Sequence, residues 1–149
     1  SFHAYPENSV EYNEAATYYQ RHKVTAPKWN GAIGSKQISW LKRVLENATK
    51  EGEKVVLYCH FPVFPENVHN LWNAPEIVEL LEDYSCVKAY INGHNHAGNY
   101  DVKKGIHYLT LKGMVDTVHT SYAVIHVYED RLEVKGFGRE ENRTLEIRK

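Results

Sequence analysis

Apolar residues recur at helical spacing in two stretches of the chain and gather into short unbroken runs elsewhere. Ile38, Leu41, Leu45 and Ala48 line one stripe of a helix. Gly34-Ser35 marks its start, with Ser35 as the expected cap, and Gly52 ends the pattern. The run Val55-Val56-Leu57-Tyr58-Cys59 reads as a strand, and Pro62 and Pro65 stop its continuation. Pro75 suits the first turn of a second helix reaching Tyr84, with Ile77, Val78, Leu80 and Leu81 as its buried side. Val87 to Asn92 is strand-like again. Strand, helix and strand in this order predict two parallel neighbours joined by a crossover.

Beyond residue 98 the texture changes. Ile106 to Leu111, Tyr122 to Tyr128 and Leu132 to Phe137 are rich in β-formers, and Glu129-Asp130-Arg131 is short enough for a hairpin. The expected class is α/β: a βαβ unit followed by antiparallel strands, in a mixed sheet or a second packed sheet. Residues 1–30 are polar and aromatic, with a helix expected from Glu11 to Arg21 and loop elsewhere. Their weak apolar periodicity predicts that they order against a partner surface.

Composition narrows the picture. The 149 residues are 42% hydrophobic and 25% charged, a globular balance, and form one domain rather than several. A net charge of −1 offers no basic field for a nucleic-acid polymer or an anionic membrane surface. No apolar run spans a bilayer, and no targeting segment points to a compartment. Cys59 and Cys86 each sit in a predicted strand and read as small buried thiols.

Three histidines change the reading from fold to chemistry. His60 follows the first strand, and His94 and His96 belong to Gly93-His94-Asn95-His96 after the second. A βαβ unit brings such positions to one edge of a parallel sheet, where α/β ligand sites lie. Convergent imidazoles most often bind a transition metal. On a continuous strand His94 and His96 would share a face. On a turn after Gly93, which allows a sharp bend, they reach two different ions. A structural zinc site fits poorly, because Cys59 and Cys86 lack close pairing and such sites want four protein ligands.

The motifs Tyr58-Cys59-His60-Phe61-Pro62 and Gly93-His94-Asn95-His96 resemble the last two of the calcineurin-like metallophosphoesterase superfamily. The resemblance covers roughly residues 28–140. Leu71-Trp72-Asn73, Lys112-Gly113-Met114-Val115 and Gly136-Phe137-Gly138-Arg139 add a likeness to the branch of manganese-dependent ADP-ribose/CDP-alcohol diphosphatases. The resemblance implies a four-layer αββα sandwich of two packed sheets with helices outside. It identifies residues 1–149 as the C-terminal part of one such domain. It implies a hydrolase of phosphoesters or diphosphates, with a nucleoside-diphosphate-linked or other phosphodiester substrate. Two divalent ions are implied, manganese first, with iron or zinc as alternatives. His60 and His94 would serve the second ion and His96 the first.

The family's upstream motifs, Asp-x-His, Gly-Asp and Gly-Asn-His-Asp/Glu, are absent from the sequence. The expected partner is therefore the N-terminal half of the domain, and the chain alone is expected to be inactive. Two divalent ions repel without an anion between them, and three neutral imidazoles supply none. One ion held weakly by His60 and His94 is the expectation for this chain. The strands from Ile106 onward are expected to lack partners and to leave a sheet face and edge open.

No side chain here is assigned as nucleophile, because the family uses a metal-activated water. Substrate contacts are expected along residues 61–73 and 95–101 and at an arginine. His69 either meets a phosphate or stands as a solvated loop residue. Trp72 either stacks on a base or packs on the helix that follows. Asn73 either binds ligand or caps that helix. Asn95 falls in the ligand loop, and Arg139 and Arg143 either clamp phosphate or form surface ion pairs. The rival to the enzyme is a non-catalytic half-domain that binds one ion or a partner chain.

Overall fold

The computed structural model describes residues 2–147; Ser1, Arg148 and Lys149 lie outside it. After a short 3-10 turn at Phe2–Ala4, helix α1 spans Val10–Arg21. Ser9 caps it by accepting a hydrogen bond from the Tyr12 N–H at 3.2 Å. None of its residues is fully buried. It is held by an aromatic cluster in which Phe2, Tyr18 and Tyr19 surround Trp72. The N-terminal stretch thus finds its ordering surface within the chain.

Helix α2 spans Ser35–Glu51 and buries Leu41, Leu45 and Ala48. Its cap is Gly34, not the expected Ser35, and no side chain satisfies its first N–H groups. Gly52 takes a left-handed conformation (φ +69) and Glu53 N donates to Ala48 O at 2.8 Å, so the helix stops where the glycine was read.

Strand β1 (Val55–Tyr58), helix α3 (Ala74–Glu82) and strand β2 (Val87–Asn92) form the predicted βαβ unit, with β1 and β2 parallel. Two further strands, β3 (Asn99–Lys103) and β4 (Ile106–Thr110), meet in a tight hairpin. Its two loop residues, Lys104 and Gly105, both have positive φ, as a two-residue turn matched to strand twist requires. Strand β4 pairs parallel to β2, giving the order β1-β2-β4-β3. Strands β5 (Ser121–Val127), β6 (Arg131–Gly138) and β7 (Arg143–Glu146) form a second, antiparallel sheet.

Alternation along β2 and β4 builds two cores. Tyr90, Ile106 and Tyr108 join α2 and α3 on one side of the first sheet. Ala89, Ile91 and Leu109 point the other way and meet Leu132, Val134 and Leu145 of the second sheet. The layers are helices, sheet and sheet, and Tyr122 and Val124 on the outer face of the last are exposed.

One expectation is corrected. Strand β4 is paired on both sides, because β3, unrecognised in the sequence, folds back on it. Among the described residues the sheet edges lie at β1, where Tyr58 is exposed, and at β3, β5 and β7.

Candidate metal centre

The site lies where β1 and β2 end. Backbone pairing continues past both strands: Cys59 N donates to Ile91 O and Gly93 N to His60 O, each at 3.1 Å. The two following loops therefore leave the sheet side by side. His60 Nε2 and His94 Nδ1 face each other at 3.1 Å.

His94 is bent into place. Its φ is +66, and Asn95 N donates to Gly93 O across it at 2.8 Å, a three-residue turn of the rare positive-φ kind. The sharp bend expected at Gly93 falls on His94 itself; Gly93 keeps an ordinary negative or extended φ. Backbone strain held at one residue by its surroundings is a mark of functional sites.

Around His94 the packing is aromatic. Phe61 meets it edge-on at 4.5 Å between ring centres, His69 at 5.6 Å, and Trp29 tilts against it at 5.2 Å. Burial first, then the neighbouring imidazoles of His60, His69 and His96, push the His94 pKa down to about 4. The ring is neutral at pH 7, the state a metal ligand needs.

His94 Nε2 contacts Asn30 Oδ1 at 3.0 Å. Asn30 is fully buried, and sequence reading missed it inside a stretch read as loop. Its only available signal was a polar residue between Trp29 and two small residues, Gly31 and Ala32.

His96 stands apart. Its Nδ1 pairs with Asp116 Oδ1 at 2.9 Å, and both side chains are about half exposed (46% each). Gly113 lets the backbone approach this ring: a Cβ there would lie 2.5 Å from His96 Cγ. Asp116, from the loop after β4, was also missed. A carboxylate on one imidazole nitrogen leaves the other directed at a metal, a frequent pattern around bound metals. Among the described residues no group of three or more His, Cys, Asp or Glu is placed to hold one ion together.

The remaining sequence candidates divide. His69 lies beside the His60–His94 pair, with Nδ1 on Asn67 Oδ1 at 2.7 Å. Asn95 is buried, and its Oδ1 accepts from Ala97 N at 3.3 Å within the ligand loop. Trp72 is part-buried: its N–H donates to Pro27 O at 3.0 Å, and Tyr18 and Tyr19 of α1 pack on its ring. Asn73 neither caps α3 through its side chain nor faces solvent. It clamps Ile33 instead, accepting from its N–H at 3.1 Å and donating to its carbonyl at 3.0 Å. Arg139 donates to the Gly113 and His119 carbonyls, which tie it to the loop that carries Asp116. Arg143 pairs with Glu141 at 3.0 Å and lies over Tyr100.

The donor set fits a divalent ion. Two nitrogens 3.1 Å apart can both lie about 2.0–2.1 Å from one ion, subtending roughly 100° at it. Imidazole suits manganese less than zinc, iron or copper on ligand softness alone, so further oxygen ligands are needed for manganese.

The fold of stacked helices, mixed sheet and antiparallel sheet is similar to that of a dimetal phosphatase. The crystal structure of a dimetal phosphatase from Danio rerio matches 97% of this chain and 53% of its own, with a TM-score of 0.87 and 25% identity. No family model matches the chain. By sequence the chain is a relative of the manganese-dependent ADP-ribose/CDP-alcohol diphosphatases, consistent with the calcineurin-like superfamily. The protein of that name from Xenopus laevis is 38% identical over 80% of the chain, and the one from Homo sapiens 32% over 82%. The Arabidopsis thaliana protein is 31% identical over 80%. The chain spans 35% to 40% of the length of these relatives.

Proposed function

We propose that the chain is the ligand-bearing C-terminal part of a metal-dependent phosphoester or diphosphate hydrolase acting on a small nucleoside-diphosphate-linked or other phosphodiester substrate. The observation that carries this reading is the opposed pair His60 Nε2 and His94 Nδ1, 3.1 Å apart at the ends of parallel strands. In this reading His60 and His94 hold one divalent ion and His96 a second. Manganese is the first choice, on the names of the relatives, with iron or zinc as alternatives. When bound, the ions supply charge to the phosphate oxygens and acidify a water.

The chain's own residues do the positioning. Asp116 orients His96, and Asn30 and Phe61 hold His94. His69 donates from Nδ1 to Asn67 Oδ1, which leaves the Nε2 lone pair of the neutral ring to accept from a water or a protonated phosphate oxygen. Trp29, 40% exposed beside His69 and His94, joins Trp72 as a ring that can meet a base. The ions also need an anionic bridge, which comes from the remainder of a longer domain. A non-catalytic module that binds one ion or a partner chain is the second reading. It is favoured by the lack, among the described residues, of any three-ligand group.

The test is hydrolysis of bis-p-nitrophenyl phosphate and ADP-ribose with Mn²⁺, by the chain alone and together with the N-terminal half of a relative. Activity only in the combined sample is expected. Inactivity of a folded combined sample would favour the binding module. Activity of the chain alone would refute the need for the outside bridge.

A further inference from the structure

Asn30 is the most constrained polar side chain near the metal centre, and its bonds leave one arrangement of protons. Its Nδ2 lies 2.8 Å from the Val68 carbonyl and 2.8 Å from the Asn70 carbonyl. Carbonyls only accept, so both must receive N–H, and these two bonds use both amide hydrogens. The amide orientation is thereby settled by its partners rather than by choice. Oδ1 then faces His94 Nε2 at 3.0 Å and can only accept, so His94 must carry its proton on Nε2. Its lone pair is left on Nδ1, the nitrogen that faces His60.

The geometry points to Asn30 as a positioning residue that locks His94 in its Nε2–H tautomer, with Nδ1 presented as the ligand atom, and ties the 66–72 loop to the same point. This rests on the hydrolase reading only in calling Nδ1 a ligand; the tautomer lock stands without any metal. The loop held by Asn30 is the one that carries His69, whose ring packs on His94. One buried amide therefore fixes both the ligand's proton and the neighbour that flanks it. Among the described residues His60 has no partner of this kind, so the pair is asymmetric. Without an ion, the Nε2 of His60 donates to His94 Nδ1. Binding an ion requires His60, not His94, to move its proton to its other nitrogen.

Long-range proton–nitrogen correlation spectra of the 149-residue chain, free of metal, test this directly. His94 is expected as a single Nε2–H tautomer. A mixture, or the Nδ1–H form, in the unsubstituted chain would overturn the proposal whatever happens to the metal reading. Asn30→Ala should release a tautomer mixture and weaken Zn²⁺ binding by about 10–100-fold, the range for loss of a group that orients a ligand. Asn30→Asp keeps an acceptor for His94 but loses both N–H donors. It should retain the tautomer while amide exchange of residues 68–70 accelerates. If the unsubstituted chain shows the tautomer but Asn30→Ala leaves Zn²⁺ affinity unchanged, the tautomer lock stands and the ligand role of Nδ1 fails.

Discussion

His94 and His96 are separated by one residue, yet they are held by opposite means. His94 is part-buried, packed between aromatic rings, bent at φ +66 and bonded to a neutral amide. His96 is about half exposed, pressed against a glycine and bonded to a carboxylate. The first arrangement keeps a ring neutral and fixed at the cost of strain. The second makes its ring a stronger electron donor and leaves room to move. A ligand loop can thus carry a rigid and an adjustable imidazole side by side, one formed before an ion arrives and the other able to follow it.

The comparison breaks most sharply at His94. His94→Ala should lower Zn²⁺ affinity at the pair by at least about 100-fold, measured calorimetrically, because one of two nitrogen donors is lost. An unchanged affinity would mean that the ion is held elsewhere. Asp116→Asn should act more mildly, weakening binding by about 10-fold. It should do so only for ions that engage His96 and leave affinity at His60–His94 unchanged. Equal losses at both would show that the two corners act as one.

Acid should separate them in a third way. The His94 pKa is about 4 in the fold against 6.5 for a free imidazole, so the unfolded chain takes up its proton first. The stability tied to neutral His94 is complete above pH 6.5 and drains away as pH falls toward 4. The melting temperature should drop across that window, and His94→Gln should flatten this part of the profile. The smallest effect is expected from Trp72→Phe. It removes the bond to Pro27 O and should cost about 1 kcal/mol of stability in denaturant, with ion binding unmoved.

Much of this was legible in the chain. Helices α2 and α3 and strands β1, β2, β5 and β6 follow from apolar spacing and turn residues, because burial against one sheet imposes those periods. Strand β3 was missed because Asn99-Tyr-Asp-Val-Lys is an edge strand with only partly covered apolar side chains. Strand β7 was missed because it rests on the single buried Leu145. Ser35 was read as a cap, but the chain turns one residue earlier at Gly34.

The imidazoles His60, His94 and His96 were legible because strand ends and a preceding glycine mark them. Asn30 and Asp116 were not. Each acts across a long gap in sequence, 64 and 20 residues from the ring it touches, and nothing local distinguishes it. The backbone partners of Trp72 and Asn73 were hidden for a related reason. The polar atoms of these two side chains are used by Pro27 and Ile33, which only folding brings near.

The bonds that continue the ladder past β1 and β2 make the sheet a ruler for the ligand pair. Neighbouring strands lie about 4.8 Å apart whatever their side chains, and the loops inherit that gauge. Length changes in the crossover away from residues 66–73, which Asn30 and Asn73 tie down, should therefore be absorbed without altering the distance between His60 and His94. A single residue inserted in either strand would turn one imidazole to the opposite face and dissolve the pair. Natural variation in such a molecule is expected to accumulate as loop length, while the residue counts of β1 and β2 stay fixed.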